Sequence, residues 1–363
     1  MSALRELLIY AIGREASDLH LKPGAPPALR ISAELTLVER EPLSAQEIRD
    51  IADEIIPPHM AEAFEREREA DFSLVEEGVG RFRVNVFVSA GQCNIVARHV
   101  KAEAPSFEAL HLPPVVQRIA LAPRGLVMVT GTTGCGKSTT LAAIIEHINR
   151  HLRRRILTVE DPVEYVFQDR ESVISQREVG LDTATFNAAL TRILRQDPDV
   201  IMIGELRDTE SFMAALQAAE TGHLVLTTMH TGTAPQAVPR ILDLFPASER
   251  EPLRLALSEN LRAVICQRLI PCVKGGVRPA VEIMINTPTV RKLIEQAKLE
   301  KLHAAIETGG EDGMQTFNQA IHRLIRSGEV TEQQGMRHAG NPESLRMMLK
   351  GINLDEGRRI LAT

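Results

Sequence analysis

Eight consecutive residues, Gly131, Thr132, Thr133, Gly134, Cys135, Gly136, Lys137 and Ser138, follow the pattern G-x-x-x-x-G-K-[ST]. In such a loop several backbone N–H groups and a helix N-terminus converge on one point, which suits a polyphosphate. Lys137 would reach the β- and γ-phosphates, and the Ser138 hydroxyl would ligate Mg²⁺, with Thr139 continuing the same surface. The flanks have the form that this chemistry needs. Residues 126–130 are an apolar, β-branched run of buried-strand length, and 139–152 carry Leu141, Ile144, Ile145, Ile148 and Leu152 at helical spacing. The loop predicts binding of a nucleoside triphosphate.

Other groups could act on that triphosphate. The apolar run 200–204 ends in Glu205, the form of a Walker B element, whose carboxylate could hold Mg²⁺ through water or orient the attacking water. A second run, 156–159, leads into Glu160, Asp161 and Glu164, an acidic cluster able to take hydrated Mg²⁺. An Asp-Pro step also starts ordinary turns, so a capped turn is the plainer reading of Asp161. His223 and His230 bracket a third apolar run. No further ligands are spaced for zinc, and His230 at a strand's carboxyl end could read the γ-phosphate. Arg81, Arg83 and Arg98 have no evident partner in their own part of the chain. They are surface arginines on a half-exposed sheet, or they reach a nucleotide across a domain or subunit boundary as arginine fingers. Cys135 should point away from the phosphates as a harmless small residue, although a thiol there could also permit oxidative inhibition.

These groups need a scaffold. Residues 1–100 read as a small α+β domain with an antiparallel sheet: an N-terminal helix, strands over 18–21 and 28–31, helices over 45–56 and 60–69, and strands over 71–75, 80–88 and 92–100. Alternation over 81–88 puts Arg81, Arg83 and Asn85 on one face and Phe82, Val84 and Val86 on the other. The proline-bearing stretch 101–123 reads as a linker. From 124 to 286 strands and helices alternate, as in a doubly wound α/β sheet, with strands over 126–130, 156–159, 200–203, 224–229 and 281–285. Ligands of such sheets bind at the carboxyl ends of strands, where Glu160, Glu205 and His230 fall. Residues 287–363 read as helical, over 290–297, 299–308, 317–326, 331–338, 343–350 and 354–361.

Composition narrows the classes. The 363 residues are 44% hydrophobic and 25% charged, ordinary for a globular protein, and no apolar run approaches membrane-spanning length. Without a signal segment the expected site is cytoplasmic. Four cysteines form no C-x-x-C pair, which argues against structural zinc and a disulfide framework. A net charge of -6, no Trp and two Tyr argue against direct nucleic-acid binding.

Taken together the motifs resemble the type II/IV secretion ATPase superfamily, and within it the pilus-retraction motors of twitching motility. The matching stretches are 16–21, 81–85, the phosphate loop with 139–143, the Asp-box-like 158–164, 176–179, 195–199 running into 204–208, and the His-box-like 219–230. They cover essentially the whole chain, in order. The resemblance implies a PAS-like N-terminal α+β domain, a RecA-like P-loop core with C-terminal helices, and a homo-hexameric ring that binds ATP and Mg²⁺ between the two domains. It implies catalysis by Glu205, Asp-box roles for Glu160, Asp161 and Glu164, with Glu160 and Glu164 joining Ser138 and Glu205 at the metal. It also implies His-box roles for His223 and His230 and nucleotide sensing by Arg81, Arg83 and Arg98. Implied partners are an inner-membrane pilus platform protein and a paralogous retraction ATPase, with peripheral membrane contact only. The C-terminal retraction motif A-I-R-N-L-I-R-E is kept at Val290, Arg291, Leu293 and Ile294 and departs at Lys292 and Glu295. An accessory retraction subunit, a related secretion or DNA-uptake ATPase, and a RecA-like DNA translocase are the alternatives.

Overall fold

A computed structural model describes residues 3–31, 34–100, 103–206 and 208–352. By contacts between residues the chain divides into two units. The first comprises the chain up to Glu103 together with 161–167 and 178–182, and the second comprises the remainder.

The first unit runs α1 (Ala3–Gly13), β1 (Asp18–Leu21), β2 (Ala28–Ile31), β3 (Glu34–Leu37), α2 (Ala45–Ile55), α3 (Ala61–Glu67), β4 (Glu69–Glu76), β5 (Gly80–Ser89) and β6 (Gln92–Val100). Its six strands form one antiparallel sheet in the order β3-β2-β1-β6-β5-β4. The expected alternation on β5 is present: Phe82, Val84 and Val86 are buried against α1 and α2 residues such as Leu7, Leu8, Ile48 and Ile51, while Arg83 faces outward. A capping box starts α2, where Ser44 accepts from the Glu47 N–H and the Glu47 carboxylate accepts from the Ser44 N–H. The single helix expected over 60–69 is replaced by a 3₁₀ turn, Pro58–Met60, and the shorter α3. Arg68 in the left-handed region (φ 62°) ends that helix and lets β4 begin at once.

The second unit runs α4 (Val115–Ala120), β7 (Gly125–Gly131), α5 (Lys137–His151), β8 (Arg155–Glu160), β9 (Val173–Glu178), α6 (Phe186–Ile193), β10 (Val200–Ile203), α7 (Thr209–Glu220), β11 (Leu224–Met229), α8 (Ala237–Asp243), α9 (Arg250–Asn260), β12 (Leu261–Pro271) and β13 (Val277–Ile285). It continues with α10 (Pro288–Glu295), α11 (Leu302–Thr308), α12 (Phe317–Arg326), α13 (Glu332–His338) and α14 (Pro342–Leu349). The sheet order is β13-β12-β7-β11-β10-β8-β9. From β12 to β8 the neighbours are parallel, and β13 closes the edge antiparallel to β12. Every residue of β7, β10 and β11 is buried, as expected for parallel strands covered on both faces. Each such Val, Leu or Ile contributes about 1.5–3 kcal/mol relative to an exposed position.

Two differences from the sequence reading matter. Strand β12, eleven residues long, was not foreseen; it follows α9 directly, with no turn residue to mark its start. Its partner β13 begins at Val277 rather than 281, because Val277 pairs with Pro271 at the hairpin's far end. The helix expected over 354–361 lies outside the described residues. Helix caps are otherwise well signalled: Thr185, Asp208, Thr287, Thr316, Thr331 and Asn341 each accept a backbone N–H of the first turn. No helix among the described residues is long and apolar enough to cross a membrane.

Candidate nucleotide site

The phosphate loop joins the carboxyl end of β7 to α5. Gly131 (φ 140°), Gly134 (φ 78°) and Gly136 (φ 89°) all take left-handed backbone, which lets the loop turn and aim its N–H groups outward. At Gly131 the crowding is also steric: a Cβ there would lie 2.5 Å from Cys135 Sγ and 2.6 Å from the Gln267 carbonyl oxygen. Thr132, Thr133 and Gly134 are exposed at the crest. Lys137 Nζ folds back over them, donating to the Gly131 and Thr132 carbonyls at 3.1 and 3.2 Å. Glycines at the strained positions, an exposed crest, a helix N-terminus and a lysine at the loop's centre together fit a triphosphate. Ser138 and Thr139, in the first turn of α5, complete that surface.

Glu205 stands just beyond β10, the second strand from β7. The turn that carries it is held by three bonds: Gly204 N–H to the Val159 carbonyl (2.9 Å), Thr228 Oγ1 to the Gly204 carbonyl (2.6 Å), and Leu206 N–H to the Thr228 carbonyl (3.2 Å). Thr228, given no role by the sequence reading, thus fixes the Glu205 backbone from the neighbouring strand. His230 follows the end of β11, and its Nε2 lies 3.0 Å from Glu205 Oε1. The carboxylate and the imidazole form a pair at the carboxyl edge of β10 and β11, the latter being the neighbour of β7.

His223 does not join them. It precedes β11, its carbonyl accepts the Gly125 N–H, and its Nδ1 lies 2.9 Å from the Ala218 carbonyl and 3.1 Å from Thr221 Oγ1. The six residues of β11 separate it from His230, about 20 Å along the strand. In this chain His223 closes the turn after α7, at the opposite end of β11 from His230.

The acidic cluster also separates. Glu160, at the end of β8, is buried and accepts from Thr158 Oγ1 (2.6 Å) and Gln176 Nε2 (3.1 Å). Among the described residues no three His, Cys, Asp or Glu side chains are placed to share one metal ion. Asp161 and Glu164 belong to the first unit. There Asp71 raises the guanidinium pKa of Arg83 most, and Asp161 and Glu164 add to the effect.

The three arginines have carboxylate partners, contrary to the sequence reading. Arg83 binds Asp71 through Nη2 at 2.5 Å, Arg98 Nε binds Asp18 at 2.7 Å, and Arg81 Nη2 binds the buried Glu178 at 2.6 Å. Asp18 and Arg98 sit directly opposite on β1 and β6. Burial alone would raise the Asp18 carboxyl, but Ser17 and Arg98 hold it below its ordinary value. Arg83 and Arg98 line a cavity of about 610 Å³ in the first unit, together with Ser17, His99, Glu164 and Tyr165.

Three of the four thiols are inert by placement. Cys93, Cys135 and Cys266 are buried, and Cys135 packs under Gly131, away from the crest of the loop. Burial pushes the Cys135 thiol up, and that of Cys266 up to about 12. A thiolate is needed for attack, so in native protein Cys272 is expected to react first with a thiol-specific reagent and Cys135 only at the rate of unfolding. Stoichiometric labelling of Cys135 in folded protein would contradict this, read by mass spectrometry of the labelled peptides.

Comparison with known proteins bears on these groups. Residues 3–337 match the family described as type II/IV secretion system protein. The chain is similar to the type IV pilus retraction ATPase PilT of Pseudomonas aeruginosa, with 41% identity over 341 residues, 94% of this chain and 99% of that protein. It is similar also to the type IV pilus ATPase PilU of the same organism, 38% identical over 346 residues, 95% of this chain and 91% of that one. The crystal structure of the pilus retraction motor PilT with bound ADP superposes with a TM-score of 0.90 at 40% identity, covering 96% of this chain and 100% of the other.

Proposed function

Because the chain belongs to the type II/IV secretion system protein family, we propose that it is an ATP-hydrolysing motor that powers retraction of a type IV pilus. The observation that carries the reading is the Glu205–His230 pair, 3.0 Å apart, at the carboxyl edge of the sheet whose strand β7 ends in the phosphate loop. In this reading the loop N–H groups from Thr132 to Ser138 and the Lys137 ammonium bind the β- and γ-phosphates of ATP. Glu205 accepts a hydrogen bond from the attacking water and orients it in line, and His230 holds the carboxylate in that rotamer. Ser138 and Glu205 would hold Mg²⁺, which neutralises phosphate charge that develops in the transition state. Glu160 accepts from Thr158 and Gln176 at the end of β8, which fixes its carboxylate at that edge of the sheet.

In this reading the motor is a hexameric ring at the cytoplasmic face of the inner membrane, working against a pilus platform protein, and its net charge of -6 and lack of Trp disfavour direct nucleic-acid contact. A second reading, an accessory subunit that works beside a paralogous retraction ATPase, is favoured by the comparable 38% identity to PilU. One assay separates these. The purified protein is expected to hydrolyse ATP in the presence of Mg²⁺ at a rate that duplex DNA does not change. Strong stimulation by DNA would overturn the motor reading in favour of a translocase. Nucleotide binding without turnover would favour the accessory reading.

A further inference from the structure

The segment that follows His230 is gripped by side chains from β12 and β13, the last two strands on one side of the sheet. Cys266 and Arg268 share one face of β12, two residues apart. The Cys266 thiol lies 3.5 Å from the Thr231 carbonyl, and Arg268 Nη2 donates to the Gly232 carbonyl at 3.0 Å. From β13, Glu282 Oε2 accepts the Ala234 N–H at 2.7 Å. Residues 231–234 are therefore fixed at three successive points, one residue beyond the imidazole that pairs with Glu205.

The same two charged groups reach the C-terminal helices with their remaining atoms. Arg268 Nη1 donates to the carbonyl of His338, the last residue of α13, at 2.6 Å. Its guanidinium lies 4.0 Å from the ring centroid of Phe317, the first residue of α12. Glu282 Oε1 accepts the Phe317 N–H at 3.4 Å. Glu282 is 1% exposed. A carboxylate is rarely buried so deeply without a specific task, and a bidentate arginine bonded to two separate segments locks their relative placement.

We propose that Arg268 and Glu282 are positioning residues that couple the His230–Glu205 pair to helices α12 and α13. This rests on the ATPase reading above and deepens it. Any shift of His230 on triphosphate binding is carried by 231–234 to both side chains, and each has its other bond on a C-terminal helix. The reverse also holds: docking at α12 or α13 adjusts His230, because coupling between two sites is reciprocal. Neither residue touches substrate, so their effect is on the placement of Glu205 and not on binding of the nucleotide.

The test uses the full chain with a non-hydrolysable ATP analogue and Mg²⁺. Binding is measured by fluorescence of a labelled nucleotide, and backbone amide exchange is followed over 230–234 and 317–338. Wild type is expected to slow exchange in both segments together. Arg268→Lys, which keeps the charge and loses the fork, is expected to keep the ATP KM while kcat falls about 10- to 100-fold, and to lose the response over 317–338 alone. Glu282→Gln replaces one acceptor by an amide NH₂ facing an N–H and is expected to act likewise. Nucleotide binding by wild type with no response over 317–338 would overturn the coupling whatever the variants do. An Arg268→Lys protein with lowered Tm but unchanged kcat would assign it a merely structural role. Absence of nucleotide binding would remove the ATPase reading, and this proposal with it.

Discussion

Glu205→Gln is expected to lower kcat for ATP hydrolysis by about 10²–10³, a loss of about 3–4 kcal/mol of transition-state stabilisation. The amide has almost the carboxylate's shape, so the fold and the turn held by Thr228 should survive. What it lacks is the charge and the second acceptor. Glu205 Oε1 is 3.0 Å from His230 Nε2, a contact that a neutral amide weakens by removing the charge. The KM for ATP should change little, because Lys137 and the loop N–H groups are untouched. Steady-state kinetics beside binding of a fluorescent nucleotide separate the two quantities. A kcat within a few-fold of wild type would remove Glu205 from the chemistry.

Gly131→Ala attacks the same site through its backbone. The new methyl would meet Cys135 Sγ at 2.5 Å and the Gln267 carbonyl at 2.6 Å, and the second obstacle is β12 backbone that cannot rotate away. Overpacking costs about 1–3 kcal/mol and the left-handed φ of 140° adds about 1–2 kcal/mol, so thermal unfolding should move down by several degrees. The loop must also shift, and ATP binding should weaken at least tenfold or so. Gly134→Ala is the control. Its Cβ would meet nothing within 4 Å, so only the backbone strain applies and the loss should be about 1–2 kcal/mol. Equal Tm values for the two variants would mean that close packing against β12 does not hold Gly131 in place.

The phosphate loop was legible because every part of it is local: strand, glycines, lysine and helix follow each other within thirty residues. The alternation of β5 was legible for the same reason. The partners of the arginines were not, because they depend on register between strands or on segments far apart in the chain, as with Asp18 opposite Arg98 and Arg81 on Glu178. The two histidines show the limit most sharply. Seven residues apart, they look equivalent, yet a strand between them sends one to each edge of the sheet. Strand β12 was hidden because α9 runs into it without a glycine or proline. Arg268 and Glu282, single charges inside apolar runs, were the available sign that something there needed holding.

Strand β12 also outruns its neighbour. Its pairing with β7 stops at Gln267 beside Gly131, whereas its pairing with β13 continues to Pro271. The last four residues, about 13 Å of two-stranded ribbon, therefore overhang the sheet, beginning at Arg268. At the far end Val273 N–H donates to the Glu329 carbonyl, and Arg278 pairs with the Glu329 carboxylate just beyond α12. A ribbon rooted against the phosphate loop and tethered at its tip cannot swing free of the segment after α12, so the loop's edge of the sheet and the C-terminal helices are joined at two separate heights.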